Sequence, residues 1–140
     1  MTQGEPAPSS VVPVLVAVLV CDAAVADRST GKKNLIGIFD RINVGKFPTK
    51  RPISVYMKLA DAEGTYQIEV RYVETNTGGV LAQAEGPAQI RDRLTSIDLY
   101  MDFPPLPIPR EGRYEFQVWA NGVYLGGTFI DAVQRAQTST

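Results

Sequence analysis

The chain has 140 residues, which fits one domain that can bury a core without disulfide or metal staples. Fourteen basic and fifteen acidic residues leave a net charge of −1, and no long run of either sign points to nucleic acid as a partner. The absence of histidine excludes sites that depend on imidazole, and the single cysteine excludes an intrachain disulfide.

The chain begins with ten polar, proline-containing residues, 1–10, which we predict to be a flexible leader. The apolar run at residues 11–20 is too short to span a bilayer as a helix, and no basic residue precedes it. We therefore predict a buried strand there, with no membrane span. A flexible tail is predicted at residues 134–140, which leaves one domain at residues 11–133 and, given the single cysteine, a cytoplasmic location.

The middle of the chain consists of strand segments separated by turns. One strand is expected over residues 34–44, with a bulge or a close approach of another segment at Gly37. Apolar and polar residues then alternate with the period of a half-buried strand at residues 53–59, 66–72 and 97–103. Shorter strands are expected between residues 80 and 91. No window of eleven or more residues keeps a helical period, so the helix content should be near zero.

The most informative segment, residues 111–131, predicts two strands joined by a type I′ turn at Asn121 and Gly122. Tyr114, close after Gly112, has the position of a tyrosine corner, in which the phenol bonds back to nearby backbone. These signals predict an all-β fold, an immunoglobulin-like β-sandwich of about seven to nine mostly antiparallel strands. The alternation places four side chains in its core: Ile68, Leu99, Tyr114 and Phe116.

Three segments also carry a family resemblance: VLVCD at residues 18–22, TGK at 30–32 and LIGIFDRI at 35–42. In that order, and followed by a closing G-x-Y-x-F hairpin, they resemble a small bacterial family of uncharacterised proteins. The resemblance covers most of the predicted domain. It implies a compact β-sandwich, and no activity, ligand or catalytic residue comes with it.

No reactive side chain stands in a recognised catalytic pattern. Cys21 closes the apolar run and is predicted to be a packing residue, since burial raises the pKa of a thiol. The turn at Thr30, Gly31 and Lys32 lacks the upstream glycine and the following helix of a phosphate-binding loop. The charged pair of Asp40 and Arg41 is expected at a sheet edge or in a cross-strand ion pair.

The acidic residues do not follow the spacing of a calcium loop, so we predict no metal site and no cofactor. Their separations are set by the fold, so a carboxylate pair for glycoside hydrolysis stays open as a histidine-free alternative. The residues concerned are Asp22, Asp27 and Asp40 around the first turn, and Asp98 with Asp102 on one strand face.

Three aromatic residues fall on the nominally outward faces of different strands: Tyr56, Tyr100 and Trp119. If two of these strands share a sheet, the rings form an exposed platform for a carbohydrate, a small ligand or a protein. The competing interpretation is that another strand, a loop or the tail covers them.

The first strand is apolar on both faces, whereas a half-exposed edge strand carries polar residues at alternate positions. It is therefore either covered on both sides within its own fold or paired with another chain at an edge, and we expect association. The proposed assembly residues are Val14, Val16, Val18 and Val20. The sequence thus favours a protein-binding module, not an enzyme, that acts as a self-assembling or scaffold subunit whose partner is a protein and includes a second copy.

Overall fold

A computed structural model describes residues 11–135, and within them the chain forms nine strands and no helix. These residues therefore include no helix that is long and apolar enough to cross a membrane. The predicted leader lies outside the described residues, as does the predicted tail beyond residue 135. The strands are β1 Val14–Ala26, β2 Lys33–Ile38, β3 Arg41–Val44, β4 Thr49–Ala60, β5 Gly64–Glu74, β6 Gly79–Ile90, β7 Ile97–Ile108, β8 Gly112–Ala120 and β9 Val123–Gln134.

The strands form two sheets that pack as a sandwich. The four-stranded sheet has the order β2-β1-β4-β7, and the five-stranded sheet has the order β3-β9-β8-β5-β6. All pairings are antiparallel except that of β3 with β9. The prediction of an all-β sandwich of mostly antiparallel strands is confirmed.

The core lies between the sheets, and the inward faces of β4, β5 and β8 supply most of it. The ring centroids of Tyr72 and Tyr114 stack 5.4 Å apart, and Phe116 packs against Tyr72 at 5.0 Å. Ile68, Tyr114 and Phe116 are fully buried, and Leu99 packs against this cluster while remaining half-buried. The faces predicted from the alternation are therefore confirmed.

Two local features of the closing hairpin also match the sequence. The Tyr114 hydroxyl donates to the carbonyl of Arg110 at 2.5 Å, which is the hydrogen bond of a tyrosine corner. Asn121 and Gly122 have positive φ values of 47° and 79°, as a type I′ turn requires at both central residues. These features depend on local chemistry, and local sequence predicts them.

The single strand expected over residues 34–44 is wrong, because the chain divides there into β2 and β3. β2 pairs with β1 in the four-stranded sheet, whereas β3 pairs with β9 in the other sheet. The chain crosses at Phe39 and Asp40, where the Phe39 amide bonds Val20 and the Asp40 carbonyl accepts from Asp131. Apolar residues continue through the crossing, although Ile36 and Ile38 of β2 are exposed and Ile42 and Val44 of β3 are buried. This continuity hides the break from a periodicity argument.

The position of β1 also differs from the prediction. β1 extends to Ala26 and lies inside its sheet, with β4 pairing residues 14–21 and β2 pairing only residues 21–26. Val20 is buried and Val18 is half-buried, but Val14 and Val16 are about half exposed. The expected burial of the whole strand is therefore wrong for its outward face, which no other segment among residues 11–135 covers.

At the other end of the domain, β9 continues to Gln134, one residue past the predicted boundary. The Arg135 amide donates to the Val44 carbonyl at 2.6 Å, which extends the parallel pairing with β3.

Candidate functional site: the outer face of the four-stranded sheet

Exposed apolar side chains concentrate on β1 and β2, on the outer face of the four-stranded sheet. Leu15 and Val18 lie opposite the buried Leu59 and Met57 and point inward, because cross-strand partners share one side of a sheet. Val14 and Leu19, next to them along β1, therefore point outward. The large outward side chains on these two strands are between 36% and 57% exposed. We call them the apolar strip: Val14, Val16, Leu19, Val25, Ile36 and Ile38.

The same face becomes aromatic and acidic toward β7. Leu19 lies opposite Tyr56 on β4, and Tyr56 lies opposite Tyr100 on β7, so the three side chains form one row across the sheet. Both tyrosines are half-buried. The structure thus brings together two of the three predicted aromatic residues and places them beside the predicted assembly strand.

The carboxylates on this face are engaged by hydroxyl groups of the neighbouring strand. Tyr56 donates to Asp98 and Ser54 donates to Asp102, each at 2.5 Å. Burial, and secondarily the bond to Asp98, raises the pKa of Tyr56 to about 12. Asp98 and Asp102 therefore share one face, as the sequence predicted, but both act as hydrogen-bond acceptors within the sheet.

Trp119 lies away from the two tyrosines, on β8 in the five-stranded sheet. Its neighbours across the strands are Glu69 and Tyr124. The Arg71 guanidinium carbon sits 3.9 Å from the indole centroid, and the Tyr124 ring meets the indole edge-on at 5.4 Å. A platform of all three predicted rings does not form, because their strands belong to different sheets.

The outer face of the five-stranded sheet carries an aromatic and polar network that the sequence argument missed. Trp119 Nε1 donates to Gln117 Oε1 at 3.2 Å, and Gln117 Nε2 donates to Glu115 Oε1 at 2.7 Å. Further along, Arg113 packs over Phe129 at 5.1 Å and bonds Asp131 at 2.8 Å. Alternation within β9 would have placed Phe129 and Asp131 on one face, but only the strand pairing shows that this face adjoins Trp119.

Residues of the family-like segments meet at a structural cluster. Asp22, the last residue of the VLVCD segment, forms an ion pair with Arg51 at 2.6 Å, and Arg51 lies 4.7 Å above the Phe39 ring. Gly37 has a φ of +68°, and a β-carbon there would overlap the Asp22 carboxylate. These motif positions therefore stabilise the crossing between the sheets.

The other residues that the sequence analysis considered for catalysis or metal binding also make contacts within the fold. Cys21 is fully buried and its thiol points to the Ser54 carbonyl at 3.6 Å, and burial raises its pKa. The Asp27 carboxylate accepts the Ser29 amide at 2.9 Å in the turn after β1, and these bonds lower its pKa. Asp40 lies at the crossing, and Arg41 faces Asp131 across the pairing of β3 with β9. Residues 11–135 contain no cluster of three or more acidic or cysteine side chains able to hold a metal ion.

Comparison with known proteins identifies the family. No curated protein matches the chain. Among solved structures, it is similar to part of a glycosyl hydrolase family 2 member from Bacteroides cellulosilyticus, with 17% sequence identity and a TM-score of 0.44. That match covers 59% of this chain but only 12% of the other protein. The profile of a family of unknown function, DUF6941, matches residues 16–131. This chain therefore belongs to the DUF6941 family.

Proposed function

We propose that this domain is a non-catalytic module that acts through protein–protein contact, as a self-assembling or scaffold subunit. The observation that carries the proposal is the apolar strip, six large exposed side chains on two neighbouring strands. Single exposed apolar residues are ordinary on soluble proteins, whereas contiguous ones mark interaction surfaces. The net charge of −1 supports a partner selected by apolar contact and not by long-range attraction.

The non-catalytic part of the proposal is supported by the reactive groups themselves. Asp22 is paired with Arg51, and Asp98 and Asp102 on the four-stranded face accept hydrogen bonds from hydroxyl groups of their own sheet. The thiol of Cys21 is buried, with its pKa raised. A buried, reduced cysteine also supports a cytoplasmic setting.

The experiment is site-specific photo-cross-linking in cells that express the full chain. A photoreactive residue at Ile38, in the apolar strip, should give protein adducts, and one at Gln83, exposed on β6, should give none. An Ile36→Lys change in the same chain should abolish the adducts, because it places a charge inside the contact. No adduct at position 38, or adducts that survive the change, would contradict the proposal.

A second candidate function is carbohydrate or small-ligand binding at Tyr56 and Tyr100. It is favoured by one observation, that the two half-buried rings are direct cross-strand partners on one face. Titration with a glycan library, followed by nuclear magnetic resonance, should then shift the amides of residues 56 and 100, and Tyr100→Ala should remove the shifts. Shifts that persist in Tyr100→Ala, or none at millimolar glycan, would contradict this candidate.

A further inference from the structure

A pocket opens at the end of the sandwich where β3 passes into β4. It lies between the β3–β4 loop, the start of β4 and the end of β7, and its volume is about 410 Å³. This volume falls within the range of small-molecule sites. The buried part of the lining is apolar and consists of Ile42, Val44 and Ile108, whereas the exposed part is mainly polar.

The pocket is lined by three cationic side chains and by no acidic one. Lys46 lies in the loop, and Lys50 and Arg51 lie at the start of β4. Neither lysine forms an ion pair with another residue in the range 11–135. Three other depressions on the described surface each include a carboxylate, so a purely cationic lining is not general in this nearly neutral chain. The two unpaired positive charges favour a dianion as the ligand.

Contacts around the pocket hold its cationic residues in place. Arg51 donates from Nη2 to Asp22 Oδ1 at 2.6 Å and lies 4.7 Å above the Phe39 ring, which leaves its other N–H groups for a ligand. Gln134 Nε2 donates to the Gly45 carbonyl at 2.7 Å, so β9 anchors the loop that carries the first lysine. Groups that are already fixed by their surroundings lose less entropy when they bind an anion.

Two neutral polar side chains add hydrogen-bond donors to the same pocket. Asn43 and Thr49 both line it, and neither side chain forms a hydrogen bond within the described part of the chain. An amide N–H and a hydroxyl O–H both donate to anionic oxygens. The pocket therefore combines positive charge with several donors of different geometry, as a tetrahedral oxyanion requires.

We propose that this pocket binds the phosphate group of a small phosphate monoester. Such a group has a charge of about −1.5 to −2 at neutral pH and three strong acceptor oxygens, which match the two unpaired lysines and the neighbouring donors. The rest of the pocket holds the body of the ligand. Every large apolar residue in the lining is buried, so no side chain there is placed to enter a membrane, and this favours a soluble ligand. The pocket shares no residue with the apolar strip, so this inference goes beyond the proposed function.

Titration of the full chain with glycerol phosphate, followed by amide chemical shifts, tests the site. The shifts should saturate and map to residues 43–51, and sodium chloride at equal ionic strength should not reproduce them. Lys46→Gln combined with Lys50→Gln should weaken binding about tenfold or more, and both residues are exposed, so the fold should be kept. The matched control, Lys58→Gln with Arg91→Gln, removes the same charge outside the pocket and should leave the affinity unchanged. Equal weakening by the two double variants, or no saturable shift at millimolar probe, would overturn the inference.

A second experiment distinguishes a soluble ligand from a lipid headgroup of the same chemistry. Vesicles of phosphatidylcholine with phosphatidic acid present phosphate monoesters on a membrane, and sedimentation should leave the chain in the supernatant. Capture by these vesicles that depends on Lys46 and Lys50, without saturable binding of glycerol phosphate, would overturn the soluble ligand. Inorganic phosphate should bind more weakly than glycerol phosphate because it does not fill the pocket, and equal affinity would overturn the claim that the pocket holds the ligand's body. Protein adducts at Ile38 without phosphate binding would overturn this inference while the proposed function stands.

Discussion

At the scale of single residues, Gly37 is the position where the family-like segments depend most directly on one another. Its positive φ is a conformation that costs an ordinary residue about 1–2 kcal/mol, and a side chain there would displace the Asp22 carboxylate from Arg51. The residues of two separate motifs thus meet at one point of the backbone.

We expect Gly37→Ala to lower the free energy of unfolding by more than Gly31→Ala does. Gly31 is the matched control, because it has a similar φ of +72° and no atom near the position of an added β-carbon. Chemical denaturation measures both losses. In an Asp22→Ala background the two substitutions should lower the free energy of unfolding by about the same amount. A difference that persists there would show that contact with Asp22 is not its cause.

Tyr56 gives the domain a dependence on high pH. Its folded-state pKa of about 12 exceeds the ordinary value of 10.0, so folding favours the protonated phenol. This contribution is complete below about pH 10 and is lost as the pH rises toward 12. Tyr56→Phe should therefore lose less stability than the wild type between pH 9 and 12 in denaturation curves. A wild-type slope in Tyr56→Phe would contradict this assignment.

Cys21 is expected to be inert in the folded protein. Its side chain is fully buried and burial raises its pKa, so little thiolate is exposed to a reagent. Labelling of the native protein at neutral pH should be much slower than that of a free model thiol, and it should become fast in denaturant. Native labelling as fast as the model thiol would instead identify a reactive site and favour the enzyme alternative.

At the scale of elements, β8 joins the core to the outer network because its residues alternate between them. Phe116 on the inner face is fully buried against Tyr72 and Phe103, whereas Phe129 on the neighbouring β9 is 41% exposed. Phe116 therefore contributes to the stability of the core, whereas Phe129 lies at the surface of the neighbouring strand.

Phe116→Ala should lower the free energy of unfolding by about 3–5 kcal/mol, the range for truncating a buried phenylalanine. Phe129→Ala is the matched control and should cost about 1 kcal/mol or less, since its ring is already partly in water. Both values follow from urea denaturation. Similar losses for the two variants would mean that the assigned inner and outer faces are wrong.

At the scale of the whole molecule, the sheet order determines which strands are held on both sides. β4, β5 and β8 are paired along both edges and supply most of the core, whereas β2, β3, β6 and β7 end their sheets. Local opening is cheapest where few buried contacts and few pairings must be broken.

Amide hydrogen exchange of dilute protein should therefore be slowest in β4, β5 and β8 and faster in the four terminal strands. Protection in the four terminal strands equal to that in β4, β5 and β8 would contradict this order.

The local structure of this protein follows from its sequence because neighbouring residues encode it. Alternation determined the buried faces of the strands that carry Ile68 and Phe116, Asn121 and Gly122 determined the hairpin turn, and Tyr114 determined the corner. The same local signals identified the fold class, and the lack of histidine together with the single cysteine excluded imidazole-dependent sites and an intrachain disulfide.

Tertiary structure alone decided which of these elements are neighbours. The pairing of Tyr56 with Tyr100, the separation of Trp119 and the division of one apolar run into β2 and β3 all depend on contacts between residues far apart in sequence. So does the exposure of Val14 and Val16, because an apolar strand looks the same in sequence whether or not another segment covers it. Periodicity reports which side of a strand faces inward, and only the assembled sheets determine what lies on the other side.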